Sequence, residues 1–303
     1  MPGRLREAAA LALVLGAVHT PRPAAAFVRT TMPSGDPAEP GRALFWCTRQ
    51  PSFVINENGS SDAGKEASFA AVRRSFETWA APDCADLSFV DLGTTARSEV
   101  GLDGEGVNLV VWREVSCQEV VPAGASCLEE GGCNNEYGCW EQTEGAIAVT
   151  TTTFDNRTGQ ILDSDIELNG AGFAFTTVDA PRCTRVPAPG ANDCVATDVQ
   201  NTVTHEIGHF IGLAHTADPN ATMYATEPQG ETDKRDLSED DVAGVCAIYP
   251  QGEAPPSFCS ESESGGTGGG GGSQGGCGCS SQPAGDLSAL ALLVAAGALL
   301  RHC

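Results

Sequence analysis

The chain has 303 residues, with 40 Asp and Glu against 17 Lys and Arg, for a formal net charge of -23 at pH 7. An acidic balance of that size repels phosphate backbones and anionic membrane surfaces, which sets nucleic acid aside as a partner and suits a protein kept soluble outside the cell. Thirteen cysteines point to the same compartment, because thiols pair in an oxidising space and a cytosolic chain rarely keeps so many.

In chain order, residues 1–26 carry Arg4 and Arg6, an apolar run from Ala8 to Val18 and the triplet Ala24-Ala25-Ala26. This is the order of a secretory signal, too short to span a bilayer and broken by Pro21 and Pro23, with Phe27 as the first mature residue. Residues 27–259 read as one folded domain. An extended run at Ala43 or at Phe53–Ile55 comes first. A helix follows to about Ala80, capped by Ser61 or Asp62, with Phe69, Val72, Phe76 and Trp79 as its buried face. Strands are expected at Leu87–Val90, Val107–Trp112, Ala146–Thr152 and Ile161–Leu168, giving an α+β domain on a mixed sheet of about five strands.

Between Arg113 and Gly145 lies a Gly-rich segment holding Cys117, Cys127, Cys133 and Cys139, too long for a simple loop unless disulfides staple it. Ten cysteines from Cys47 to Cys259 allow five bridges, of which only the short-loop pair Cys183 with Cys194 can be guessed. A helix is predicted over Val199–Ala214, started by Thr197 or Asp198. Another begins at Ser238, where Ser238 and Asp241 form a capping box, Leu237 and Val242 form a hydrophobic staple, and Tyr249-Pro250 ends it. Residues 260–276 are a Gly-rich linker without core-forming side chains, and residues 277–303 hold Cys277-Gly-Cys279, an apolar run from Leu287 to Leu300 and a basic end.

The chemistry concentrates in His205-Glu206-Ile207-Gly208-His209. Two imidazoles four residues apart on a helix share one face and reach one Zn2+. Gly212 permits the positive φ that turns the chain back and delivers His215 as third ligand. Three neutral nitrogens leave the ion its charge, so a bound water ionises near neutral pH, and Glu206 is placed to take its proton and return it to a leaving amine. All three histidines of residues 27–259 fall in this motif, which argues against isolated core histidines.

The run His205-Glu206-x-x-His209-x-x-Gly212-x-x-His215, followed by Ala221-Thr222-Met223-Tyr224, resembles the metzincin peptidases, with Met223 at the Met-turn position. Thr216, the Met-Tyr pair and Leu237-Ser238-Glu239-Asp240-Asp241 resemble the matrixin branch most. The resemblance implies a zincin catalytic domain with an active-site helix, a Met-turn and a C-terminal helix. It also implies protein or peptide substrates and one catalytic Zn2+. It assigns Ala146, Ile147 and Ala148 to the edge strand on which extended substrate docks, the alternative being an ordinary edge strand.

Departures from the family pattern carry expectations of their own. No histidine is left for the structural zinc usual in matrixins, so disulfides at 117, 127, 133 and 139 are expected in its place. Asp163, Asp165 and Glu167 read as a solvated acidic face, or as Ca2+ ligands. Pro181-Arg182-Cys183 resembles a thiolate latch but sits within the domain, where a disulfide to Cys194 is favoured. The tail resembles a myxobacterial C-terminal sorting signal, which makes Cys277 or Cys279 an anchoring point to the cell surface; a plain membrane anchor is the competing reading. These features predict a monomeric secreted or surface-tethered endopeptidase. The alternatives are a non-catalytic peptide-binding or adhesion module on the same scaffold and, less consistent with Gly212, His215 and Met223, an amidase of small substrates.

Overall fold

A computed structural model describes residues 27–32, 41–102, 106–259, 280–283 and 297–302. The segments expected as secretory signal and Gly-rich linker, and Cys277 and Cys279, lie outside these residues.

Short strands β1 (Val28–Arg29), β2 (Thr31–Met32) and β3 (Arg42–Ala43) lead into β4 (Ser52–Asn56), helix α1 (Lys65–Ala80), β5 (Val90–Thr95) and β6 (Leu109–Trp112). Three one-turn helices, α2 (Cys117–Val120), α3 (Cys127–Glu130) and α4 (Cys133–Tyr137), precede β7 (Ala148–Phe154), β8 (Ile161–Leu168), β9 (Phe175–Thr176) and β10 (Thr197–Asp198). Helix α5 (Val199–Phe210), β11 (Leu213–Ala214), helix α6 (Glu239–Ile248) and strands β12 (Ser280–Pro283) and β13 (Gly297–His302) complete the order. The central sheet runs β7-β8-β6-β4-β5, parallel except for the antiparallel β7–β8 pair. Beyond β7 the β13–β12 pair extends it, with β13 in register from Val149 to Phe154.

The buried face of α1 is the one its spacing predicts. Phe76 stacks on Phe53 of β4 at 3.7 Å between ring centres, and the Trp79 indole donates to the Thr204 carbonyl of α5 at 2.7 Å. The helix starts later than expected, at Gly64 without a side-chain cap. Ser61 and Asp62 are engaged elsewhere: the Ser61 hydroxyl donates to Glu114 at 2.6 Å, and Asp62 accepts the Gly190 N–H at 2.8 Å. The strand expected at Leu87–Val90 instead begins at Val90 and runs to Thr95, because it pairs with β4 only from Ser52 onward.

The five disulfides are Cys47–Cys259, Cys84–Cys246, Cys117–Cys139, Cys127–Cys133 and the anticipated Cys183–Cys194. The two bridges between Cys117 and Cys139 gather their sulfurs into a small buried cluster of their own. That loop is tied to the sheet by Asn134, whose amide donates to Glu167 of β8 at 3.0 Å, and Glu167 is ion-paired with the buried Arg113 at 2.7 Å.

The acidic face expected on β8 is not solvated. Asp163, Asp165 and Glu167 are all buried. Asp165 accepts backbone N–H groups from Leu109 at 2.7 Å and Gly101 at 2.5 Å, and burial first, then Asp163, raises its proton affinity well above the ordinary carboxylate range. With Glu167 committed to Arg113 and Asn134, the three carboxylates do not converge as a cation site. Among the described residues only the histidine trio gathers three such ligand atoms around one point.

Candidate metal centre

Helix α5 is fixed at both ends. Asp198 is its N-cap, accepting the Asn201 N–H at 2.8 Å and holding Arg235 by two bonds of 2.7 and 2.5 Å. At its other end the Phe210 and Ile211 carbonyls, which a helix cannot satisfy internally, accept from the Trp46 indole and the Tyr249 hydroxyl, each at 2.9 Å. The helix stops four residues before the expected Ala214. Gly212 takes φ 98° with its carbon framework against the Leu44 carbonyl, where an added Cβ would lie 2.4 Å away. The chain then runs into β11, antiparallel to β1, and turns His215 back toward the helix.

His205 and His209 lie on one face of α5, and the Nε2 atoms of both stand 3.1 Å from Nε2 of His215. The other ring nitrogens have dedicated partners: His205 Nδ1 lies 2.6 Å from the Thr222 carbonyl and His209 Nδ1 2.9 Å from the Leu213 carbonyl. A carbonyl accepts only, so Nδ1 carries the proton in both rings and the Nε2 lone pairs face a common point. Burial lowers the proton affinity of both rings, His209 to about 3, so they are neutral across the physiological range. Neutral lone pairs that converge in this way call for a cation between them. A borderline-soft divalent ion with tetrahedral preference, such as Zn2+, fits the donor set.

Glu206 follows His205 on α5 and is completely buried. Its Oε2 accepts from the Thr150 hydroxyl of β7 at 2.6 Å, while Oε1 has no donor among the described residues. Burial raises its proton affinity to about 8. Thr150 had no signal in the sequence beyond its place in a run of four threonines, and its role depends on strand–helix packing.

Met223 sits beneath the helix against Gly208, where an added Cβ would lie 2.0 Å from the Met223 sulfur. Its backbone N–H and that of Thr222 donate to Asp241 of the α6 capping box, at 3.0 and 2.7 Å. Asp241 therefore supports the carbonyl that holds His205, a function hidden behind its legible capping role. Ala146, Ile147 and Ala148 are buried at the head of β7. Asn169 binds the Ala146 and Ile147 carbonyls, each at 2.9 Å, and strand alternation then turns the backbone groups of Ala148 toward the outer edge, just before the β13 register begins.

Residues 140–250 match the Matrixin family model, Peptidase_M10. The chain is 46% identical over 46 residues to human matrilysin, 15% of this chain and 17% of that protein. It is 47% identical over 55 residues to metalloendoproteinase 1-MMP of Arabidopsis thaliana, 18% and 15% of the two chains. With metalloendoproteinase 4-MMP of the same plant the likeness extends to 123 residues at 29% identity, 40% of this chain and 31% of the relative. In each case the chain spans less than a third of the relative's own length. A matrixin-like region is thus present on an α+β fold whose five central strands form a mixed sheet, and it contains α5, His215 and α6.

Proposed function

We propose that this chain is a secreted zinc-dependent endopeptidase, with His205, His209 and His215 as metal ligands and Glu206 as general base. The observation that carries the reading is the convergence of three Nε2 atoms, two of them on rings held neutral, next in sequence to a buried carboxylate with one oxygen left without a donor among the described residues. When bound, zinc supplies Lewis acidity, lowering the pKa of water and polarising a peptide carbonyl.

The protein's own groups supply the rest. Thr150 anchors one Glu206 oxygen and leaves Oε1 to accept a proton from the attacking water. A proton affinity raised toward neutral suits a group that must take that proton and then deliver it to the leaving amine. Of Ala146, Ile147 and Ala148, assigned to docking of extended substrate, the first two have their carbonyls held by Asn169, which leaves the backbone of Ala148 to the substrate, and Met223 forms the Met-turn floor. The Cys117–Cys139 loop takes the place of a second, structural zinc, so one ion per chain is expected. The engaged oxygens of Asp165 and Glu167 speak against calcium there. Export through residues 1–26 and tethering through Cys277 or Cys279 complete the reading; among the described residues no helix is long and apolar enough to cross a membrane.

The test is cleavage of denatured casein by the secreted protein with metal analysis. Wild type should carry about one zinc and turn over substrate. Glu206→Ala should keep the zinc and lose on the order of a thousandfold or more in kcat. Chelation should remove both zinc and activity. A folded, zinc-loaded wild type that cuts nothing in a mixed peptide library would move the assignment to a peptide-binding module.

A further inference from the structure

The outer edge of β7 continues past the residues assigned to substrate docking, and there the chain covers it with its own C-terminal strands. Ile147 accepts the Asn169 N–H, so its backbone faces β8. That direction alternates along an antiparallel pair, which sends the N–H and C=O groups of Ala148, Thr150 and Thr152 outward, away from β8. Ala148 lies outside the β13 register. From the next residue onward the edge is taken: β13 hydrogen-bonds along it in parallel, from Gly297 opposite Val149 to His302 opposite Phe154. β12 pairs in turn with β13, from Ser280 opposite His302 to Pro283 opposite Leu299.

Thr150 ties this cover to the proposed chemistry. Its hydroxyl holds Glu206 Oε2 at 2.6 Å, while its backbone belongs to the edge that β13 occupies. An extended peptide adds to a sheet by consecutive backbone bonds, with every second residue of the edge strand serving it. A peptide bound at Ala148 and growing along β7 therefore requires Thr150 next, and β13 stands in its place. Residues 260–279 join Cys259 to β12, a length that reaches up to about 70 Å when extended. A competitor on the same chain acts at an effective concentration on the order of millimolar.

We propose that β13 is an autoinhibitory strand, which holds the outer edge of β7 from Val149 to Phe154 and keeps extended peptide from docking beyond Ala148 until it leaves. The proposal rests on the peptidase reading above. Both tail strands follow Cys279 in the chain, so loss of the residues beyond the anchoring cysteines frees the edge, and attachment and activation become one event. A strand that only shielded the edge from other chains would leave peptide turnover unchanged.

The experiment uses the full zinc-loaded chain with residues 266–272 replaced by the recognition sequence of a sequence-specific cysteine protease. It is measured intact, and again after that cut and removal of the tail. A second protein, uncut, carries Leu299→Pro and Leu300→Pro; adjacent prolines remove an N–H from each side of β13, so the one facing β7 is lost. Amide hydrogen exchange at Thr150 and Thr152 reports the edge without reference to catalysis. Turnover is followed on an octapeptide and on a tripeptide too short to pass Ala148. The cut should speed exchange by about a hundredfold and raise octapeptide kcat/KM by about tenfold or more, with the tripeptide unchanged, and the proline protein should match it. Exchange that is equally fast in the intact chain overturns the proposal. So does freed exchange with unchanged octapeptide turnover, or a gain shared equally by the tripeptide. Binding of both peptides by Glu206→Gln, intact and cut, is read by fluorescence anisotropy. If no form cleaves, octapeptide binding that tightens about tenfold on tail removal upholds the autoinhibitory strand and refutes the peptidase reading. Octapeptide binding that the tail leaves unchanged overturns the proposal irrespective of cleavage.

Discussion

Single residues in this domain act through bonds that reach across the chain. Asp241 accepts four, from Ser238 N–H at 2.9 Å, Ser238 Oγ at 2.7 Å, and the Thr222 and Met223 N–H groups. Replacing it with alanine strands two buried backbone donors and frees the carbonyl that orients His205. The expected cost is about 3 kcal/mol in urea unfolding, with a zinc affinity weakened about tenfold or more in a chelator competition. Lost stability with unchanged zinc affinity would confine Asp241 to the fold. Glu227 yields a pH prediction. Its folded pKa of about 8 lies above its ordinary 4.5, so its contribution to stability is fully present below about pH 4.5 and is lost as pH rises through 8. Glu227→Gln should flatten the fall in unfolding free energy between pH 5 and pH 8, relative to wild type, by on the order of 1–4 kcal/mol. The His-Glu-x-x-His spacing and the capping box were legible because each is a local pattern within one helix. Thr150, Thr222 and the second role of Asp241 were not, because each bond joins residues distant in sequence.

At the scale of elements, the strands and helices followed from periodicity, and the errors fell where a long-range partner displaced a local rule. Ser61 and Asp62 carry the right side chains to cap α1, yet Glu114 and Gly190 claim them. The alternating acids of β8 have the signature of a half-exposed strand, but the loop through Gly101 and the stapled Asn134 loop cover that face. Strand β1 illustrates the reverse case, an element too short to read that nevertheless supports the metal site. Val28 and Arg29 pair with Ala214 and Leu213, and Thr30 binds the carbonyls of Gly212 and Leu213. These contacts brace the turn that presents His215. A protein whose mature chain starts at Gly41 should fold, since the central sheet and α5 lie downstream. It should hold zinc roughly tenfold more weakly, because a ligand on an unbraced loop loses orientational freedom when it binds. Equal zinc affinity in the shortened and full proteins would show that Gly212 and Leu44 alone hold the turn.

For the molecule as a whole, the cysteine count announced five bridges, but their connectivity depended on a fold that spacing does not encode. Only the pair 11 residues apart was recoverable. The two long bridges join positions 212 and 162 residues apart, tying the chain's later half to its beginning. Cys84–Cys246 links the region after α1 to α6, the helix whose first turn carries Asp241. Cross-links that close such long loops restrict the unfolded chain most, by about 5 kcal/mol each in the chain-entropy account. Self-repulsion at a net charge of -23 acts against the compact state, so much of the margin should lie in these covalent ties. Replacing Cys84 and Cys246 together with alanine should lower unfolding free energy by about 2–5 kcal/mol. It should also make the remaining stability more dependent on added salt, as screening takes over part of the work of the bridge. If both quantities match wild type in urea melts at low and high salt, packing around α6 rather than the cross-link holds that half of the molecule together.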